Sequence, residues 1–255
     1  MIEKREHPQI QLVAIDLDGT LLRSDKTIST VNRASISEAV RSHIHVVLAT
    51  GRPFSHVKPY IEQLNLKTYL VTANGAEIYD QDHRCIARHA MEPNQILSLA
   101  AVAGKADSEY WVLSEDELYQ NELPDHVHDI TWLKFGYKPG TEEGANRIRK
   151  MIQSFDGLEV TNTIPSNLEV NAKGVHKASG IKLVCEKLHV PMEQVMAIGD
   201  ALNDLELIQQ AGIGVAMGNA QEIVKMKADA VTACNDEDGV AKALSAYLFG
   251  GNVLI

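Results

Sequence analysis

The chain has 255 residues, 45% hydrophobic and 23% charged, with a formal net charge of -10 at pH 7, a balance that excludes collagen-like, low-complexity and wholly disordered chains. The acidic surplus disfavours nucleic acid as a partner, because meeting a phosphate backbone takes a basic surface. Cys85, Cys185 and Cys234 form no Cys-x-x-Cys motif and no even-numbered disulfide framework, and no apolar run approaches the ~18 residues of a membrane span, so a cytoplasmic protein with no membrane partner is expected.

Residues 1–8 lack the apolar stretch of a secretory signal. Residues 11–15 (QLVAI) form a short β-prone run that ends at Asp16. Ser29 suits an N-cap, and Val31, Ala34, Ile36, Ala39 and Val40 follow at helical spacing. Residues 45–49 (HVVLA) read as a second strand, ending at Thr50-Gly51. Pro53 suits the first turn of a helix with Val57, Ile61 and Leu64 on one face. Residues 69–73 (YLVTA) read as a third strand, and Asn74-Gly75 with Ala76-Glu77-Ile78-Tyr79 as a hairpin.

From residue 83 to 172 the pattern changes. Helices are expected over 93–106 and 142–155, and strands over 109–113, 130–137 and 158–163. This segment carries 14 acidic and 8 basic side chains, so most of the net negative charge lies there. After it, strand and helix alternate again: strands at 194–198, 213–217 and 230–233, and helices around Ile181–Leu188, Leu205–Ile208, 220–228 and 239–248. Short strands that are apolar throughout, joined by helices, mean a parallel sheet covered on both faces. The expected fold is α/β, a doubly wound and mostly parallel core (residues 1–82 and 173–255) with an inserted α+β unit at 83–172.

Polar residues cluster where the apolar strands end. Asp16-x-Asp18-Gly19-Thr20 follows the first strand, Thr50-Gly51-Arg52 the second, Asn74-Gly75 the third, and Gly199-Asp200-Ala201-Leu202-Asn203-Asp204 a later one. In open α/β sheets ligands bind outside the carboxyl ends of the strands, so these groups are expected to share one crevice. Taken singly, each has a plainer reading. Asp16 and Asp18 suit a turn with Gly19, Thr50-Gly51 a helix lead-in, Asp200 to Asp204 a helix cap, and Lys177 a solvated helix position. An EF-hand fails, because its glycine and closing glutamate positions hold Leu21 and Thr27. The pairs His43/His45 and His126/His128 lack a third zinc ligand, and no phosphate loop ending in Gly-Lys-Ser/Thr is present.

Together, Asp16-Leu17-Asp18-Gly19-Thr20-Leu21, Thr50-Gly51-Arg52, Lys177 and Gly199-Asp200-Ala201-Leu202-Asn203-Asp204 resemble the four signature motifs of the haloacid dehalogenase superfamily. Thr72-Ala73-Asn74-Gly75-Ala76, Val215-Ala216-Met217-Gly218-Asn219-Ala220 and Asn235-Asp236-Glu237-Asp238-Gly239-Val240-Ala241 resemble its Cof-type sugar-phosphatase branch, whose members carry a type IIB cap. The resemblance covers residues 10–80 and 173–245. In the middle only the position and size of a cap match. One departure is Ala178, where the family usually has glycine after the lysine.

The resemblance implies a Mg²⁺-dependent phosphatase of small phosphorylated metabolites, such as sugar phosphates or phosphorylated cofactors and precursors, working through an aspartyl-phosphate. Asp16 would be the nucleophile and Asp18 the general acid and base. The metal would lie on the carboxylates of Asp16 and Asp200 and the main-chain carbonyl of Asp18, with Asp204 orienting metal-bound water. Thr50 and Lys177 would bind phosphoryl oxygens with Asn203 nearby, and Gly51, Arg52 and Asn74 would border the substrate. A phosphosugar mutase and a non-catalytic metal- or metabolite-binding regulator are the alternatives. In the cap, Lys134 interrupts the apolar run Trp132-Leu133-Lys134-Phe135. On an alternating strand it faces solvent, the plainer expectation, or the crevice, where it would touch the leaving group. Trp111, Trp132 and Tyr137 are expected to pack the cap, with one of them open to lining the pocket.

Overall fold

The structure, a computed structural model, describes residues 9–250; residues 1–8, where no secretory signal is expected, lie outside the described residues. In chain order, β1 (Leu12–Ile15), α1 (Thr30–Arg41), β2 (His45–Ala49), α2 (Phe54–Leu64) and β3 (Leu70–Thr72) lead to β4 (Glu77–Tyr79) and β5 (Cys85–Arg88). Then come α3 (Pro93–Ala106), β6 (Glu109–Ser114), β7 (Leu118–Gln120), β8 (Trp132–Lys138), α4 (Glu142–Ile152), β9 (Leu158–Thr161) and β10 (Leu168–Ala172). The chain closes with α5 (Lys177–Leu188), β11 (Val195–Gly199), α6 (Leu202–Gln210), β12 (Ile213–Ala216), α7 (Glu222–Lys227), β13 (Ala230–Val231) and α8 (Gly239–Leu248).

Among the described residues, eight strands form one sheet in the order β13-β12-β11-β1-β2-β3-β4-β5. From β13 to β3 neighbouring strands are parallel, and β4 and β5 are added antiparallel by hairpins. Strand β1 is central: Leu12 pairs with His45 on one side and with Val195 on the other. Every residue of β1, β11 and β12 is buried, which requires cover on both faces. Helix α1 packs on β2 and against α8, while α5 lies across β2, β3 and β4 and against α6. Ser29 caps α1 as expected, its side chain accepting from the Asn32 N–H at 3.0 Å. Ala178 is fully buried in the core cluster, so the methyl that replaces the family's glycine is accommodated by packing.

The second sheet is antiparallel, in the order β7-β6-β8-β10-β9. Helices α3 and α4 cover one face, and Ile96, Leu99, Trp132, Phe135, Tyr137, Ile148 and Val170 form its own core. The opposite face, with Trp111, Lys134, Glu169 and Asn171, is turned to the larger sheet. Strand β5 lies beyond the boundary expected at residue 83 and pairs with β4 in the larger sheet, so the second unit's elements begin after Arg88. Between the two units a small cluster of Ala73, Ala76, Leu113, Leu133 and Val175 makes a seam.

Candidate active site

The carboxyl ends of β1, β2 and β11 converge beneath the second sheet, as parallel strands with a common direction must. Asp16 follows β1 and is buried. Lys177 is the first residue of α5, a helix start fixed by His176, whose Nδ1 accepts from the Ser179 N–H at 3.2 Å. That start aims Lys177 under the end of β1. Its fully buried Nζ donates to Asp16 Oδ1 and to Asp204 Oδ1, both at 2.6 Å. The other oxygen of Asp204 accepts from the N–H groups of Asp200 and Ala201 at 3.0 and 3.1 Å. Both oxygens of Asp204 are thus committed to orienting its neighbours. Asp200 Oδ1 accepts from the Thr20 hydroxyl at 2.8 Å. Gly19 makes this approach possible: its φ is +79°, and a Cβ there would fall 2.4 Å from Asp200 Oδ2.

Asp16, Asp200 and Asp204 offer ligand oxygens that all lie within 4.8 Å of one another. Three close carboxylates against one lysine leave surplus negative charge in a buried place. Burial pushes the Asp16 carboxyl well above its ordinary range, and Lys177 only partly offsets that. Burial and then Asp204 push Asp200 up to about 7. Lys177 goes the other way: burial disfavours its charge, but Asp16 and Asp204 outweigh burial and raise it. An all-oxygen donor set with surplus negative charge fits a hard divalent cation.

Asp18 stands apart from this cluster. Burial would raise it, yet hydrogen bonds from Arg52 and Lys26 hold it at about 2. Arg52 grips both Asp18 oxygens, with Nη2 2.7 Å from Oδ1, and Lys26 Nζ lies 2.9 Å from the same oxygen. Arg52, expected to border substrate, is therefore engaged with Asp18 and lies over the Tyr60 ring. The Thr50 Oγ1 accepts from the Arg52 N–H at 3.2 Å.

A cavity of about 620 Å³ opens above these groups. Asp16, Asp18, Thr50, Gly51, Arg52, Asp200 and Asn203 line it from below, and Trp111, Leu118, Lys134, Ile164 and Glu169 from the second sheet and its loops. Lys177, Asp204 and Asn74 stand behind the wall. Asn74, in the left-handed region with φ 61°, donates through Nδ2 to Glu169 Oε2 at 2.7 Å and accepts at Oδ1 from Asn203 Nδ2 at 3.1 Å. Solvent exposure, the plainer expectation for Lys134, is wrong: it is 2% exposed and faces the cavity. Its Nζ donates to Gly51 O at 2.6 Å and Glu169 Oε2 at 3.1 Å, and sits 4.9 Å from the Trp111 ring centroid. Burial lowers its pKa, and Glu169 offsets part of that. Trp132 and Tyr137 pack the second unit's core, and Trp111 is the aromatic that lines the cavity.

Sequence reasoning missed Lys26, Glu169 and Asn171, and gave Thr20 no role of its own within the first motif. Glu169 and Asn171 had a signal: Leu168-Glu169-Val170-Asn171-Ala172 alternates apolar and polar residues with the period of a strand.

A family model described as haloacid dehalogenase-like hydrolase matches residues 13–141 and 126–244. The chain is a haloacid dehalogenase-like hydrolase. Three relatives from Bacillus subtilis (strain 168) bear the name 5-amino-6-(5-phospho-D-ribitylamino)uracil phosphatase, and two of them are more than 30% identical to this chain. One is 41% identical over 248 residues, covering 97% of this chain and 100% of the relative. The other is 31% identical over 264 residues, covering 92% and 97%. A solved haloacid dehalogenase-like hydrolase from B. subtilis matches with a TM-score of 0.86 and 27% identity, covering 94% of this chain and 100% of that one. A solved subclass IIB sugar phosphatase of the superfamily matches with a TM-score of 0.81 and 25% identity, covering 94% and 99%. The hydrolase is an enzyme, a phosphatase of this superfamily acting on phosphorylated small molecules, with the mixed α/β core and second sheet of its capped members. No described helix is long and apolar enough to cross a membrane.

Proposed function

We propose that this hydrolase cleaves a compact phosphomonoester through an aspartyl-phosphate on Asp16, with Mg²⁺ held by the carboxylates of Asp16 and Asp200 and the main-chain carbonyl of Asp18. The observation that carries the reading is the setting of Asp16. It lines the floor of the cavity, tied to Lys177 and grouped with Asp200 and Asp204. When bound, the cation supplies charge neutralisation between these carboxylates and a phosphoryl group.

The protein's own groups account for the rest. Asp16 attacks phosphorus and the ester P–O bond breaks. Asp18 gives its proton to the leaving oxygen, then takes one from the water that splits the acyl-phosphate, and inorganic phosphate departs. To carry a proton, Asp18 must be released by Arg52 and Lys26, which turn to the anionic substrate. Thr50 and Lys177 hold phosphoryl oxygens as charge builds. The second sheet serves as a cap that excludes water while the phosphoryl group moves.

The names of the three B. subtilis relatives favour 5-amino-6-(5-phospho-D-ribitylamino)uracil as substrate, a sugar-alcohol phosphate bearing a flat ring. Trp111, Leu118 and Ile164 give the cavity an apolar wall for such a ring. Three free cysteines suit the reducing cytoplasm. The test is phosphate release from a panel of phosphorylated metabolites that includes this compound, with Mg²⁺ added. Release is expected from the wild type and absent in Asp16→Asn, whose amide cannot attack phosphorus. Mg²⁺-dependent turnover by that variant would sink the reading.

A further inference from the structure

Asn203 stands at the end of a chain of amides whose orientation is set by groups that can only accept hydrogen bonds. Asn171 Nδ2 lies 3.0 Å from the carbonyl oxygens of Ala73 and of Leu133. Two carbonyls demand the nitrogen, so Asn171 Oδ1 faces Asn74. Asn74 meets two acceptors on its other side, Glu169 Oε2 at 2.7 Å and Asn171 Oδ1 at 3.4 Å. Its nitrogen must face them, so its Oδ1 faces Asn203. Asn203 Nδ2 answers that oxygen at 3.1 Å. Lys134 Nζ donates to the same Glu169 oxygen at 3.1 Å. The network itself therefore assigns the Asn203 amide.

The consequence is an acceptor with nothing to accept. Asn203 is 4% exposed and lines the cavity, and its Oδ1 is buried without a hydrogen-bond partner among the described residues. A buried carbonyl oxygen left in this state is costly. A phosphoryl oxygen cannot relieve it, since both are acceptors and repel. A hydroxyl or N–H can.

We propose that Asn203 presents a fixed acceptor to the substrate cavity and selects leaving groups that carry a hydroxyl or N–H donor near the ester. Asn74, Glu169 and Asn171 are positioning residues that hold it there. This adds a specific role to the expectation that Asn203 lies near the phosphoryl oxygens. It rests on the phosphatase reading for what enters the cavity.

The test compares D-ribitol 5-phosphate with n-pentyl phosphate, five-carbon esters with and without hydroxyl donors. Binding is measured by calorimetry with Mg²⁺ present, in an Asp16→Asn background that holds either ester unreacted. Adding Asn203→Ala, a good helix former at this first-turn position, is expected to cost roughly tenfold more affinity for the ribitol ester than for the pentyl ester. Adding Asn74→Ala, which frees the Asn203 amide to turn, is expected to shrink the same preference, whereas mere structural weakening would lower both affinities together. Equal losses on the two esters, or no loss on either, would overturn the proposal. Phosphate release by the Asp16-intact protein is measured in parallel. A binding preference that follows Asn203 without any release would sink the phosphatase reading and uphold the acceptor site.

Discussion

Asp16 and Asp18 are two positions apart, yet their carboxyls sit in opposite surroundings. Burial raises the first, and Arg52 with Lys26 depresses the second. This separation predicts distinct losses. Asp18→Asn should keep Mg²⁺ binding and lose roughly 10²–10⁴-fold in kcat. Asp200→Asn should lose the metal first, seen as a thermal midpoint that no longer responds to Mg²⁺. Equal loss of metal affinity in both variants would refute the division. Stability should follow pH with a definite sign. Asp200, raised to about 7, keeps its proton longer in the folded chain than in the unfolded one. In metal-free protein that contribution falls as pH rises from roughly 4 to 7. Asp18 contributes the other way: its stabilisation, present above its ordinary value, is lost as pH falls toward about 2. With Asp200 as a ligand, as proposed, Mg²⁺ would compete with protons there. The Tm gain from Mg²⁺ should therefore be larger at about pH 8 than at about pH 5, and stabilisation should be roughly 2.7 kcal/mol at about 100 times Kd. A gain independent of pH would count against Asp200 as ligand.

At the scale of elements, close packing on the inner face of the second sheet predicts a sensitive glycine. Trp111 packs against Gly136, where a Cβ would fall 2.0 Å from the indole. Gly136→Ala must displace that ring or bend β8. It should cost about 1–3 kcal/mol, read as a lowered denaturation midpoint. The same face shows where sequence reading stops. Strand β2 and helices α3 and α8 fall where periodicity puts them, and the residues that follow β1, β2 and β11 line the cavity, while Asn74 after β3 stands behind its wall. Strands β5, β7 and β10 were not anticipated. Strand β7 has three residues, and β5 carries exposed Ile86, so neither makes an apolar run. Strand β10 alternates polar and apolar residues, as a half-solvated strand would, but Glu169 and Asn171 are buried against the larger sheet. Lys134 deceives for the same reason. Alternation tells which residues share a face; what covers that face is a tertiary fact.

Across the whole molecule, the two units meet through polar side chains as well as the small apolar seam. Lys134 reaches the Gly51 carbonyl, Glu169 the Asn74 amide, and Asn171 the Ala73 carbonyl. Every one of these bonds joins β8 or β10 to a loop at the carboxyl end of β2 or β3. The cap's position and the shape of the motif loops are therefore one arrangement, and substitutions at Lys134 should disturb turnover of all substrates together through Gly51. A Lys134→Ala variant that changes substrate ranking and spares a small aryl phosphate would instead show direct reading of the leaving group.

The place of β1 between β2 and β11 has a consequence for the chain as it leaves the ribosome. Leu12 must wait for Val195 before its strand is paired on both sides, and helices α5 to α8 are made later still than β3. The second unit has no such wait, since its five strands and two helices all lie between Pro93 and Ala172. Contacts close in sequence form first. On the nascent chain the inserted unit is expected to fold while the N-terminal strands that precede it are still open on one edge. A chain arrested after residue 172 should then resist protease across 93–172 and be cut within 12–72; uniform cleavage of both stretches would show that the inserted unit needs the finished core to fold.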